Sequence, residues 1–111
     1  MGYECVAGIG DLPEGRGLRV EIAGIEVGLF KVGDEVFAME NRCPHRGDPL
    51  SEGCLVGRII ACRAHGWEFD VGTGFRPENS DGFPIPCFPV RVDGDHVWVD
   101  IEAPLNLRRR R

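Results

Sequence analysis

The chain has 111 residues, enough for one compact domain with a modest core. Hydrophobic residues make up 42% and charged ones 28%, the balance of a soluble globular protein, and no apolar run is long enough to span a bilayer. Net charge is −5, but Arg108–Arg111 supply four of the thirteen basic residues; the other nine stand against 18 acidic ones, −9, so a nucleic-acid or membrane surface is not expected.

An acidic body fits both ordinary solubility and steering toward a basic patch on a partner. The four arginines at the end read as a solvated tail. Met1-Gly2-Tyr3-Glu4 has no basic segment followed by an apolar stretch, and Val6 stands where a myristoylation motif wants Ser or Thr. A cytoplasmic location is therefore expected. Five cysteines are an odd number for a disulfide scaffold, and no secretory signal accompanies them.

Sixteen glycines and eight prolines cut the chain into short pieces, the pattern of an all-β domain. Tyr3 to Gly8 suggests a first strand, and Asp11 to Gly15 a loop. Leu18 to Ile22 alternates apolar and charged residues, as a half-buried strand does, and Ala23-Gly24 can turn it back into Ile25 to Val32. Gly33-Asp34-Glu35 reads as a turn, and Val36 to Glu40 as a strand. Asp48 to Gly53 is an irregular connection, Ile59 to Cys62 a short buried strand, and Trp67 to Val71 a return ending at the turn Gly72-Thr73-Gly74. Phe75 to Pro89 holds four prolines and reads as a long loop. Val90 to Val92, the turn Asp93-Gly94-Asp95 and His96 to Ile101 make a closing hairpin. No repeat or linker divides the chain.

Between the fourth strand and Trp67 lie two Cys–His pairs: Cys43 and His45 with one residue between them, Cys62 and His65 with two. Each pair offers one thiolate and one imidazole. That suits an elongated centre with two chemically different ends, as in a Rieske [2Fe–2S] site, where two Cys hold one iron and two His the other. Zinc also takes two Cys and two His, although pairing unlike ligands across a single residue crowds one small ion. The bland alternative is that four scattered Cys and His residues fill a core; the spacing reads as a Rieske site. The remaining cysteines, Cys5, Cys54 and Cys87, read as small, partly buried apolar residues.

The surroundings of the motif are specific. Cys43-Pro44-His45-Arg46-Gly47-Asp48-Pro49-Leu50-Ser51-Glu52-Gly53, then Cys62-Arg63-Ala64-His65-Gly66-Trp67-Glu68-Phe69-Asp70 and Gly72-Thr73-Gly74, closely resemble the Rieske-type ferredoxins. These are electron carriers of bacterial ring-hydroxylating dioxygenases and toluene-type diiron monooxygenases. The resemblance runs from about Val20 to Ile101. It implies the all-β Rieske fold of antiparallel sheets over the whole chain. A cluster-binding part of about 41–86 would sit on a base of 1–40 and 87–103, with 104–111 as a tail. It also implies one [2Fe–2S] Rieske cluster held by Cys43, His45, Cys62 and His65, with Phe83-Pro84-Ile85-Pro86 helping to cover it.

With both irons ferric and the imidazoles neutral, such a site is uncharged, and one added electron makes it −1. Burying that charge is costly unless N–H groups point at the sulfurs, and Gly47 and Gly66 would let main chain approach closely. High-potential relatives carry an extra Cys in each loop; here Arg46 to Leu50 hold none and Ala64 stands at the other position. They also place a Ser where this chain has Trp67. A low potential is therefore expected, toward the lower end of about −150 to +300 mV. Trp67 and Phe69 read as packing residues, and His96 as an exposed one.

No nucleophile–base pair, catalytic carboxylate pair or nucleotide-binding glycine loop stands out, so turnover of substrate by this chain alone is not expected. The resemblance implies a low-potential ferredoxin that carries single electrons from a flavin-containing NAD(P)H reductase to a terminal oxygenase or hydroxylase. An alternative is the small Rieske-like subunit of an assimilatory nitrite reductase, which often lacks the ligands present here. A zinc-stabilised binding module is a third.

Overall fold

A computed structural model describes residues 2–44, 47–63, 66–77 and 84–106. Among them, ten strands form three antiparallel sheets. One sheet sets β1 (Glu4–Gly8) beside β10 (His96–Val99) and β9 (Val90–Asp93). A second runs β2 (Leu18–Ile22), β3 (Ile25–Val32), β4 (Glu35–Glu40), β8 (Cys87–Phe88). The third joins β5 (Cys54–Val56), β6 (Ile59–Ala61) and β7 (Glu68–Asp70). Two short 3₁₀ turns, Ile9–Asp11 and Leu50–Glu52, are the helical elements among the described residues.

β3 and β4 form the wall that separates two cores. Successive side chains on a strand point to opposite faces. Val27 and Leu29 of β3, with Val36 and Ala38 of β4, accordingly enter a core shared with Ile22, Phe88, Val97 and Val99. Phe30 and Met39 point the other way, into a core with Leu50, Ile60, Phe69, Val71 and Ile85. Both faces of β3 are therefore covered, and Val27 through Phe30 are all buried. The second core also contains Cys43 and Cys62.

The strands expected from alternation appear within a residue or two of their expected bounds. Two elements were not foreseen. β5 offers only one buried residue, Leu55, between the exposed Cys54 and Val56, too short for a period to show. β8 lies inside the proline-rich segment read as loop; its two residues pair with Ala38 and Met39 of β4. Tertiary pairing, not local pattern, makes it a strand. Leu105 and Asn106, inside the segment expected as tail, bond back to Cys87: the Leu105 N–H donates to its carbonyl at 2.8 Å and Asn106 Oδ1 accepts from its N–H at 3.0 Å.

Candidate metal centre

β4 delivers Cys43 through Asn41 and Arg42, and β6 delivers Cys62 directly. The two cysteines are held identically. The Cys43 N–H donates to the Asp48 carbonyl at 2.8 Å, and its carbonyl accepts from the Gly47 N–H at 2.6 Å. The Cys62 N–H donates to the Trp67 carbonyl at 2.7 Å, and its carbonyl accepts from the Gly66 N–H at 2.8 Å. In each loop the cysteine backbone closes a turn on residues four and five further on. Its main-chain groups are thus spent on the loop.

Gly47 and Gly66 occupy the same place in the two turns, with φ of 80° and 73°. A Cβ on Gly66 would meet nothing within 4 Å among the described residues, and one on Gly47 would touch only the Arg42 side chain, no nearer than 3.7 Å. The left-handed backbone by itself favours glycine at both positions.

The thiols lie in the interior: Cys43 is 1% exposed and Cys62 2%, and no cysteine forms a disulfide. His45 and His65 lie outside the described residues, as does Phe83. Among the described residues, no three of His, Cys, Asp and Glu converge as a metal site. In sequence, His45 follows its cysteine by two positions and His65 by three, inside turns whose closing bonds match.

The other cysteines separate by place. Cys5 and Cys54 are exposed at outward positions of β1 and β5, not partly buried as expected. Cys87 is buried, and its thiol donates toward the Ile85 and Val71 carbonyls at 3.5 and 3.8 Å. Burial, then the Asp70 charge, pushes that thiol up to about 12, so it stays protonated. A thiol so held is a poor metal ligand, because ligation needs the thiolate.

Side chains buttress the two loops differently. Buried Asn41 spans the mouth of the first: its Oδ1 accepts from the Ser51 N–H at 2.7 Å and its Nδ2 donates to Ser51 Oγ at 3.0 Å. Trp67 flanks the second, half-buried against the core, with the Arg76 guanidinium 4.3 Å from its ring centroid and Phe69 tilted 43° at 6.5 Å. An ion pair from Arg63 to Glu52 ties the second loop to the turn after the first. Ile85, from the expected cover, is 4% exposed in the same core as Cys43 and Cys62. Asn41 and Ser51 were not singled out by sequence; the only signal is a small polar residue on each flank of the Cys43 loop.

Two buried cysteines, each fixed by its backbone in a matching turn and sharing one core, fit a two-ended iron–sulfur group. Residues 2–89 match the Rieske [2Fe-2S] domain family. The ferredoxin component of a naphthalene 1,2-dioxygenase system from Pseudomonas aeruginosa is 36% identical, over 82% of this chain and 88% of its own. The ferredoxin subunit of 3-phenylpropionate/cinnamic acid dioxygenase from Shigella boydii is 32% identical, over 89% and 92%. Among solved structures, the ferredoxin of carbazole 1,9a-dioxygenase from Nocardioides aromaticivorans superposes with a TM-score of 0.80 at 30% identity, covering 89% of this chain and 97% of that one. A small subunit described as a putative nitrite reductase is 23% identical with a TM-score of 0.77, a likeness of fold alone. The chain belongs to the Rieske [2Fe–2S] domain family as a ferredoxin, an electron-transfer component built for one Rieske cluster rather than an enzyme.

Proposed function

We propose that Cys43 and Cys62 hold one iron of the cluster and His45 and His65 the other. The ferredoxin then carries single electrons from a flavin-containing NAD(P)H reductase to a terminal oxygenase that hydroxylates aromatic or alkene substrates. The observation that carries the ligand assignment is the matched pair of main-chain bonds on Cys43 and Cys62. A chain similar to this one, at 34% identity and a TM-score of 0.77, belongs to a complex of reduced oxygenase and oxidized ferredoxin in carbazole 1,9a-dioxygenase. That supports an oxygenase as the acceptor.

When bound, the cluster takes up and releases one electron. The chain supplies the rest. The Cys43 and Cys62 thiolates are set in an apolar core, where the extra negative charge of the reduced site is poorly solvated. Each loop contributes a histidine, which would bind through one ring nitrogen and leave the other toward the surface as the exit for electrons. Neither loop has a second cysteine to clamp it, and Trp67 replaces a hydroxyl donor. Both features support a potential at the lower end of the range for Rieske centres, which spans about −150 to +300 mV. The cluster-binding part is assigned to about 41–86. Sheet β5–β6–β7 lies within it, and the base supplies the other two sheets.

A cytoplasmic location and the absence of membrane or nucleic-acid partners belong to the same reading. No described helix is long and apolar enough to cross a membrane. The test is reconstitution: the purified ferredoxin, mixed with the reductase and oxygenase encoded beside it, should restore NADH-dependent hydroxylation. Failure to do so, with the cluster intact, contradicts the carrier role.

A further inference from the structure

The residues matched to the family end at 89, yet the chain goes on and returns to the side of the metal centre. Asn106 is where it arrives. Its Oδ1 accepts from the Cys87 N–H at 3.0 Å, and its Nδ2 donates to the Thr73 and Ile85 carbonyls, both at 2.7 Å. A carboxamide has two N–H donors, and both are taken here. One side chain therefore joins the turn after β7, the Pro84–Pro86 segment and β8.

Apart from the Pro86 carbonyl, which accepts from the Glu40 N–H at 2.9 Å, that segment is held through Ile85. Pro84 and Pro86 have no N–H, so Ile85 carries its one main-chain donor. The Ile85 N–H donates to the Gly74 carbonyl at 2.9 Å, and the Ile85 carbonyl accepts from Asn106. Gly74 makes room for this: with φ of 79°, it would with any Cβ collide with the Ile85 carbonyl and the Asn106 amide. Ile85 is in turn buried with Cys43 and Cys62.

We propose that Asn106 is a positioning residue for the metal centre, locking Ile85 over the Cys43 and Cys62 core and keeping water from the cluster. The proposal rests on the ferredoxin reading above. Asn106 makes no contact with Cys43 or Cys62 among the described hydrogen bonds; it acts through Ile85. Its carboxamide is specific to the task, because the site needs one acceptor and two donors. Aspartate has the same shape and keeps the acceptor for Cys87. It would set an oxygen against two carbonyls.

The experiment compares the full-length holoprotein with Asn106→Asp and Asn106→Ala. In both variants the Ile85 amide, and in Asn106→Ala the Cys87 amide as well, should exchange with solvent about tenfold faster or more, while those of the β2–β3 hairpin keep their protection. Bleaching of the visible bands by an iron chelator should speed up by a similar factor. The midpoint potential should rise, because water reaching the site solvates the more negative reduced form. If Asn106→Asp does not fold, Asn106→Ala alone decides, with the same signs and smaller shifts. Unchanged bleaching and potential beside faster exchange would make Asn106 merely structural and overturn the proposal. Equal loss of protection across the β2–β3 hairpin would overturn it as well. Should the wild-type chain bind no cluster, the ferredoxin reading falls, and exchange at Ile85 still shows whether Asn106 holds that segment.

Discussion

The Cys43 and Cys62 loops share one main-chain design and differ in what surrounds it. Both turn on the same two bonds to the cysteine and on a left-handed glycine four residues on. The first is closed from outside by a buried side-chain amide, Asn41 on Ser51. The second is flanked by aromatic and cationic side chains, Trp67 under Arg76, and grows from the β6–β7 pair. Positioning of the two cysteines is thus a backbone property common to both halves. The way each half is braced follows from the elements that happen to flank it.

The largest break in this symmetry would come at the cysteines themselves. Cys43→Ser and Cys62→Ser should each abolish the visible bands and the iron content. Cys87→Ser should retain both, since the Cys87 thiol faces carbonyls and remains protonated. Absorbance and iron analysis of the three variants check this; colour lost only with Cys87 would reverse the assignment.

Asn41→Ala comes next. It strips partners from two buried Ser51 groups and should cost about 2–4 kcal/mol in denaturant unfolding. The loss should be concentrated in the first loop, read by hydrogen exchange near Asp48 to Ser51. Arg76→Ala, the corresponding removal beside the second loop, should cost only about 0.5–2 kcal/mol, the worth of its contact with Trp67.

Gly47→Ala and Gly66→Ala sharpen the likeness instead. Each forces a Cβ into left-handed backbone without a hard collision among the described residues, at about 1–2 kcal/mol. Equal costs are expected from equal geometry, measured as shifts in the urea midpoint. A neutral Gly66→Ala beside a costly Gly47→Ala would show that the loops are not equivalent.

The smallest effect is absent at neutral pH. Well below pH 9.0 the Cys87 thiol is protonated whether the chain is folded or not. Between 9.0 and about 12 the unfolded chain ionises there and the folded one does not, so stability falls as pH rises. Cys87→Ala should remove that part of the alkaline slope; equal slopes for the two proteins would contradict the burial of this thiol.

Much of this was legible in the sequence where one residue's chemistry carries the signal. The alternation Leu18 to Ile22 reflects a strand with one wet face, and the paired Cys and His spacing marked the two loops whose cysteines share one core. What depends on tertiary partners was not legible. β8 exists because Ala38 and Met39 offer it a ladder, and three prolines around it hide the fact. Asn106 looks like any polar residue near a chain end until Cys87, Ile85 and Thr73 are seen around its amide. The glycines at 47 and 66 were visible, but their left-handed backbone shows only in φ.

The central claim is that Cys43, His45, Cys62 and His65 hold one binuclear centre with unlike ends. Pulsed electron paramagnetic resonance on the dithionite-reduced protein tests it most directly. The expected result is a spin-half signal with strong coupling to two directly bound imidazole nitrogens, lost in His45→Ala and His65→Ala. A silent, colourless, zinc-containing protein, or a signal without bound nitrogen, would contradict it.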